Sequence, residues 1–285
     1  MGMTDWLSLP WLVTGASSGL GRAIVGAVLD RGGTVAAGTR SPSAFSTSDR
    51  GSGRLLPIKL DAADAASIAA GIGEAEALLG PIGVLVNNAG YGLVGAVEET
   101  SEAEYRALFE VNFFGAVAAT KAVLPGMRER GRGFIVNMSS VSGIAARAGS
   151  GFYAASKFAL EGLSEALREE CLPLGIKTMI VEPGAFRTGF YGDARTLARS
   201  RVDAYREVAR RRLSPAERLG AQPGNPDRAA RIILDAMHQS PPPQRLVLGA
   251  AAAKVLEAAH QRRLDEVRCQ LVSAGEADFH QGLLA

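Results

Sequence analysis

Seven short apolar stretches, each followed by helix-like material, constrain this chain more than any other feature of it. They lie at 11–15, 34–39, 55–61, 84–89, 134–139, 177–182 and 245–248. Several are unbroken apolar runs rather than alternating ones, as in Val84-Leu85-Val86 and Met179-Ile180-Val181. A strand covered by helices on both sides has no face turned to water, so runs of this kind predict buried parallel strands. Helices are predicted between them, at 20–30, 64–79, 102–130, 153–171 and 227–238. Thr100-Ser101-Glu102-Ala103-Glu104 offers a hydroxyl cap with acids in the first turn, and Asn225-Pro226-Asp227 a cap followed by proline. Parallel neighbours joined through helices require right-handed crossovers. The expectation is an α/β fold: one domain with a doubly wound parallel sheet of about seven strands and helices on both faces.

Two stretches break this rhythm. Residues 41–54 are rich in Ser and Gly and predict a surface loop after the second strand. Residues 188–226, charged and expected to be helical over 196–213, are inserted just past the sixth strand. Loops at the carboxyl ends of strands line ligand sites in open sheets, so the insertion is expected to cover a substrate. A solubilising excursion is the alternative. Residues 250–285 read as a helical extension, packed outside the sheet or against a partner subunit.

Composition narrows the function classes. The 285 residues are 47% hydrophobic and 21% charged, enough to build a large core. Thirty-one basic residues against 29 acidic ones give a net charge of +2, and Arg210-Arg211-Arg212 reads as a solvated helix face. No nucleic-acid partner is therefore expected. The N-terminus lacks a basic region followed by an apolar stretch, and no run reaches the ~18 apolar residues of a membrane span. A cytoplasmic protein without membrane contact is the expectation. Cys171 and Cys269 lie far apart with no histidine at ligand spacing, so neither a disulfide framework nor a metal site is expected. His238, His260 and His280 all fall late in the chain, away from the motifs below.

The first motif is Thr14-Gly15-Ala16-Ser17-Ser18-Gly19-Leu20-Gly21, at a strand-to-helix junction. Its glycines permit a tight turn and close approach to a pyrophosphate, and the free N–H groups opening the helix supply donors there. In dinucleotide folds the end of the second strand meets the adenosine ribose. Here it reads Gly38-Thr39-Arg40-Ser41, with no carboxylate for a 2′-hydroxyl. Arg40 can instead present a cationic fork to a 2′-phosphate, with Ser41 as a further donor, which favours NADP(H) over NAD(H). An exposed arginine in a loop is the rival reading. Asp61, ending the third strand, can accept from an adenine amino group or cap the segment after it. Asn87-Asn88-Ala89-Gly90 ends the fourth strand; its amides can hold loop backbone and Ala89-Gly90 let a cofactor lie close, unless the run is simply a turn.

Tyr153 and Lys157, four apart, share one face of a helix. A tyrosine near its reference pKa of ~10 is a poor base at neutral pH. A neighbouring ammonium stabilises the phenolate and brings its proton within catalytic reach. Ser140 can hydrogen-bond a substrate oxygen and hold it in line with Tyr153. Tyr-x3-Lys alone also arises in ordinary packed helices, so its weight comes from the other motifs.

Thr14-Gly-x3-Gly-x-Gly21, Asn87-Asn88-Ala89-Gly90, Asn112, Ser140, Tyr153-x3-Lys157 and Pro183-Gly184 with Thr188 occur in one order across most of the chain. In these features the sequence resembles the short-chain dehydrogenase/reductase family, which implies a Rossmann-like fold and NAD(P)-dependent chemistry on a CH–OH group. The resemblance implies catalytic roles for Ser140, Tyr153 and Lys157, with Tyr153 as acid in reduction and base in oxidation. It further implies that Lys157 binds the nicotinamide ribose and that Asn112 holds a water in a proton relay. Gly15, Ser17, Gly19, Leu20 and Gly21 would hold the pyrophosphate region, with Ser18 beside them in the same cofactor loop. Asp61 would approach the adenine, Asn88 the adenosine-side ribose region, and Pro183, Gly184 and Thr188 the nicotinamide end. One departure is Ser18, where many NADP-preferring members carry a basic residue. Homodimers or homotetramers through the two long helices are implied as well.

The substrate pocket is expected to draw on 91–93, 141–147, 184–186, Phe190, Tyr191, Leu197 and Tyr205, an apolar and aromatic set that suits a hydrophobic ketone or secondary alcohol. Arg147 can meet an acidic group or point to solvent. The alternatives are a non-catalytic NADP(H)-binding sensor or scaffold, and a sugar-nucleotide epimerase or dehydratase.

Overall fold

The computed structural model of the chain describes residues 5–46, 53–192, 194–212 and 220–275. Parts of three expected segments lie outside the described residues: 47–52 of the loop, 213–219 of the insertion, and 276–285, with His280, of the C-terminal extension. The apolar runs form β1 (Pro10–Thr14), β2 (Thr34–Thr39), β3 (Arg54–Lys59), β4 (Val84–Asn87), β6 (Gly133–Met138), β7 (Ile176–Pro183) and β9 (Arg245–Leu248), with two short strands, β5 (Gly92–Val94) and β8 (Arg195–Leu197), between them. The helices are α1 (Gly19–Asp30), α2 (Ala65–Leu79), α3 (Glu102–Phe109), α4 (Gly115–Glu129), α5 (Gly151–Cys171), α6 (Arg206–Arg212), α7 (Pro226–Met237) and α8 (Ala250–Gly275).

Seven strands form one sheet in the order β3-β2-β1-β4-β6-β7-β9, every pair parallel. The doubly wound expectation is therefore met. Alternate residues of each strand enter opposite layers. Leu12, Ala36, Ile58, Leu85 and Ile135 pack with Ile68 and Ile72 of α2, Val123 and Met127 of α4 and Leu167 of α5. Val13, Val35, Val86 and Val136 pack with Ile24 and Val28 of α1 and Ile233 and Leu234 of α7. Neither face meets water, which is why the strand sequences carry no polar alternation.

Helix starts follow their local chemistry. The Asp64 carboxylate accepts from Ala66 N at 2.9 Å, Ser101 and Glu104 form a capping box, and Asn225 Oδ1 accepts from Arg228 N at 3.0 Å with Pro226 in the first turn. The single helix expected over 102–130 is interrupted by a π turn at Glu110–Phe114. Within Glu102–Glu129 an 18-residue stretch reaches a mean hydropathy of 1.4, enough for a membrane-crossing helix by composition, yet Ala119, Val123 and Met127 pack this segment onto the sheet. The helix expected over 196–213 is corrected: Thr196 lies in β8, and among the described residues the α-helix covers only Arg206–Arg212.

β5 and β8 pair in parallel as a separate two-stranded sheet that no sequence signal announces. Three residues are too few for a periodicity, and their pairing is decided by where the insertion lands.

A buried amide network ties the sheet to its helices below the carboxyl ends of β4 and β6. Asn87 Nδ2 donates to Asn137 Oδ1 at 2.8 Å and Thr120 Oγ1 at 3.0 Å, and Asn137 Nδ2 donates to Ser164 Oγ at 2.7 Å. Asn137→Ala strips partners from both neighbours, and an unpaired buried polar group costs about 1–3 kcal/mol. A urea midpoint lowered by a loss of that size, with an unchanged m-value, is the expected outcome; a midpoint within error of the parent would refute the network's role.

Candidate active site

The strand order reverses between β1 and β4, and a crevice opens where their carboxyl ends diverge. A cavity of about 1040 Å³ occupies it. Thr14 Oγ1 accepts from the backbone N–H groups of Asn88 and Ala89, each at 3.0 Å. Asn88 Nδ2 donates back to the carbonyls of Thr14 at 2.9 Å and Gly15 at 3.1 Å. The glycine loop and the Asn-Asn-Ala-Gly run are thus one hydrogen-bonded unit.

Gly15, Ser17, Ser18, Gly19 and Leu20 line one end of the cavity. Gly15 has φ +62°, and a Cβ there would lie 2.8 Å from Ala89 Cα, so both the turn and the close approach demand glycine. Ser18 is the N-cap of α1 but makes no side-chain capping bond, so the first-turn N–H groups are left to a ligand. Gly21 does not line the cavity. A Cβ on it would strike Asn88 Nδ2 and Gly15 O, so glycine here lets the helix start pack against the β1 and β4 ends.

The far rim is formed by Thr39, Arg40, Leu60 and Asp61. Arg40 is exposed at the rim. Ser41, next to it, is exposed and outside the lining, and its backbone N–H donates to Thr39 Oγ1 at 3.2 Å. The hydroxyl at that edge of the cavity belongs to Thr39. Asp61 lines the cavity, and its Oδ1 accepts from Ala63 N at 3.0 Å in the segment after β3.

Asn88, Ala89, Gly90, Ser140, Tyr153, Lys157, Pro183, Gly184 and Thr188 all face the same cavity. Ser140 caps a short turn, its Oγ accepting from Ser142 N at 3.1 Å. Tyr153 is nearly buried, its ring centroid 5.6 Å from that of Phe190. Lys157 Nζ donates to Met138 O at 2.8 Å; burial draws its pKa down to about 8, partly opposed by Glu161.

Asn112 is brought close but does not line the cavity. Its Oδ1 accepts from Tyr91 N at 2.9 Å, and its Nδ2 donates to Tyr91 O at 3.0 Å and Ser156 Oγ at 3.1 Å. The side-chain amide is spent on holding Tyr91 and α5, so a water-holding role for this residue could fall only to its backbone within the π turn.

The substrate end differs from expectation. Tyr91, Leu93, Val141, Arg147, Ala185, Phe186 and Phe190 line it as anticipated, together with Ala194, Arg195, Thr196, Ala251, Ala252 and Val255. Leu197 and Tyr205 do not: Leu197 is exposed, and the Tyr205 hydroxyl donates to Glu98 Oε2 at 2.9 Å. The Tyr191 side chain lies outside the described residues. β8 places Arg195 and Thr196 over the cavity by pairing with β5, and α8 packs its first turn on Gly184, where a Cβ would meet Ala252 Cβ at 2.9 Å. Nothing in the local sequence of 194–196 or 251–255 signals these contacts.

A nicotinamide dinucleotide fits this donor set: a glycine cradle a Cβ would fill, uncapped helix N–H groups, and a cavity running on to Tyr153 and Lys157. The short chain dehydrogenase family model matches residues 11–197. The chain belongs to the short-chain dehydrogenase family. Like this short-chain dehydrogenase, a solved one from Streptomyces avermitilis has the same fold, at 40% identity over 95% of this chain and 100% of its own, with a TM-score of 0.84. One from Burkholderia cenocepacia in complex with NADP is 26% identical over 93% of this chain and 98% of its own, with a TM-score of 0.71. The 3-ketodihydrosphingosine reductase of Bacteroides thetaiotaomicron is 41% identical over 179 residues, 63% of this chain and 64% of that protein. The protein is an NAD(P)-dependent oxidoreductase of this family.

Two carboxylates hold the short-chain dehydrogenase's insertion over the site. Glu99 accepts from Ala96 N at 2.8 Å and Val202 N at 3.0 Å, and Glu104 Oε1 accepts from Arg199 N at 2.9 Å. The backbone donors of Ala96 and then Val202 hold Glu99 below the usual carboxylate range, against its burial. A depressed pKa stabilises the fold above the unfolded value and loses that contribution as pH falls through the folded one. Glu99→Ala leaves two N–H groups unpaired, at about 1–3 kcal/mol. Amide exchange at 198–203 should then rise roughly tenfold or more at pH 7, and in the parent protein it should rise only below the ordinary carboxylate range. Unchanged exchange in the variant would reject the clamp.

Proposed function

We propose that this short-chain dehydrogenase transfers a hydride between NADP(H) and a hydrophobic ketone or secondary alcohol, with Tyr153 as general acid in reduction and general base in oxidation. The observation that carries the reading is the shared cavity: Ser140, Tyr153 and Lys157 line one wall of the space whose other end is the glycine cradle. A bound nicotinamide supplies or accepts the hydride. The protein's own groups handle the oxygen and its proton. Ser140 Oγ accepts from Ser142 N, which leaves its own O–H to donate to a substrate oxygen. Tyr153 gives that oxygen a proton, and the nearby Lys157 ammonium stabilises the phenolate left behind. Phe190 packs against the Tyr153 ring and limits its rotation.

The substrate class follows from the wall opposite. Tyr91, Leu93, Val94, Phe186, Phe190 and Val255 are apolar or aromatic. A relative named for reducing 3-ketodihydrosphingosine supports a ketone as the reducible group. For the cofactor, Arg40 at the rim beside Thr39, with no carboxylate ending β2, supports NADP(H) over NAD(H). The NADP-bound relative supports the same choice. Half-exposed Phe114 and Phe158, on the π turn and α5, support pairing of subunits into a homodimer or homotetramer through the two long helices.

Tyr153→Phe is expected to bind NADPH with unchanged affinity and to lose at least ~100-fold in kcat on ketones, the scale of a lost general acid; turnover at the parent rate would remove Tyr153 from the chemistry. Tight NADPH binding by the parent protein with no turnover across aliphatic, aromatic and steroid-like ketones would favour the non-catalytic sensor instead. Arg40→Ala should raise the Kd for NADPH about tenfold or more, on the scale of a lost charge-assisted phosphate contact, and leave NADH nearly unchanged. Equal effects on the two cofactors would reject the phosphate contact.

A further inference from the structure

Lys157 is buried with a positive charge, and the one hydrogen bond its ammonium makes to a described residue goes to a neutral carbonyl, Met138 O. A buried ammonium without a counter-charge loses its proton, because a low-dielectric surround disfavours the charged form. The cavity wall supplies no carboxylate next to it. One turn further along α5, outside the cavity wall, stands Glu161.

Glu161 and Lys157 converge on the short turn after Ser140. A Cβ on Gly143 would lie 2.5 Å from Ser139 Oγ, 3.2 Å from Glu161 Cγ and 3.3 Å from Lys157 Cβ, so only glycine lets these three side chains meet. Ser139, the residue after β6, lies beside the same turn and draws the Glu161 carboxyl toward ionisation. On its far side Glu161 Oε2 accepts from Arg245 Nη2 at 3.2 Å, from the edge strand β9. Arg245 also faces Glu182 Oε1 from Nε at 3.2 Å, and its Nη2 pairs with the exposed Glu165. The charged groups around Glu161 are therefore Lys157, Glu165, Glu182 and Arg245. Glu161 and Glu182 are almost fully buried, at 5% and 1% side-chain exposure, whereas Arg245, at 26%, reaches solvent. Glu161 thus lies between Arg245 and the Lys157 turn of α5, and buried Glu182 shares the arginine.

We propose that Glu161, anchored by Arg245, is a positioning residue for Lys157: its buried carboxylate is the counter-charge that keeps the ammonium protonated behind Tyr153. The inference rests on the reading of Lys157 as part of the reacting group set, and extends it to residues that do not touch the cavity. Glu161, Glu182 and Arg245 are absent from the lining. Direction of charge supports the arrangement. Burial lowers the Lys157 pKa and the Glu161 charge raises it. Burial raises Glu161 itself, and Ser139 and Arg245 pull it back toward ionisation. Glu182, held up to about 7 first by burial and then by Glu161, competes for the same arginine.

The test reads Lys157 directly. Protein labelled with 13C at the lysine ε-carbon is titrated by NMR from pH 6 to 10.5, with the Lys157 signal assigned by its loss in Lys157→Met. Glu161→Gln is expected to lower the Lys157 midpoint by about one pH unit, the scale of losing a nearby opposite charge. Glu161→Asp keeps the charge one methylene farther away and should lower it by less; this variant carries the test if the neutral one does not fold. Glu165→Gln, at the exposed end, should leave it unmoved. An unchanged midpoint in a folded Glu161 variant overturns the proposal. In turnover, the alkaline fall in ketone reduction by Glu161→Gln should move down with the NMR midpoint. A moved midpoint in a protein that reduces no carbonyl would instead sink the reductase reading and leave the coupling standing.

Discussion

The cross-link between β1 and β4 is the interaction on which the rest of the site depends. These strands are neighbours in the sheet, yet the chain leaves them toward opposite faces, so their carboxyl ends must part. Thr14 and Asn88 bridge the gap with four hydrogen bonds, using side chains to satisfy backbone groups the sheet no longer pairs. With that bridge in place, Gly15 can be pressed against Ala89, and the uncapped start of α1 faces open space rather than protein. The cradle is therefore a property of two chain segments held together.

The two ends of the cavity are built in different ways. The cofactor end is mostly backbone and glycine, set by the sheet itself. The substrate end is assembled from side chains of late elements: the insertion, held down by Glu99 and Glu104, and the first turn of α8, seated on Gly184. Leu256 and Ala259 of α8 also pack on Ile144, so the same helix braces the loop that carries Ser140. Substrate choice in such a design is open to change without disturbing the cradle, because the elements that set it lie outside the core layers.

Electrostatics at the centre follow from burial. Lys157 is useful next to a phenol only while it keeps its proton, and the apolar surroundings that sharpen its field also threaten that proton. Carboxylates one layer behind the cavity resolve the conflict without competing for substrate. The arginine on the edge strand that accompanies them is the part of the cluster connected to water.

Much of the architecture was legible in the residues. Unbroken apolar runs implied a covered parallel sheet, cap residues marked helix starts, and Thr14-Gly-x3-Gly-x-Gly21, Ser140 and Tyr153-x3-Lys157 marked the site, because each rests on local backbone geometry or on spacing within one helix. Gly21, Ser41 and Asn112 lie beside the cavity but outside its lining, since a motif specifies position along the chain and not what each residue faces. The β5–β8 pair, the placing of Arg195, Thr196 and Val255 over the cavity, and the meeting of Glu161 with Glu182 and Arg245 left no trace in the sequence. Those contacts join residues 80 or more positions apart in the case of Arg245 and Glu161. The sequence by itself determined the sheet, most of its helices and the motifs that meet at the cavity, all written in short-range patterns; only the tertiary structure decided the pocket walls and the buried charges, because long-range packing alone brings those groups together.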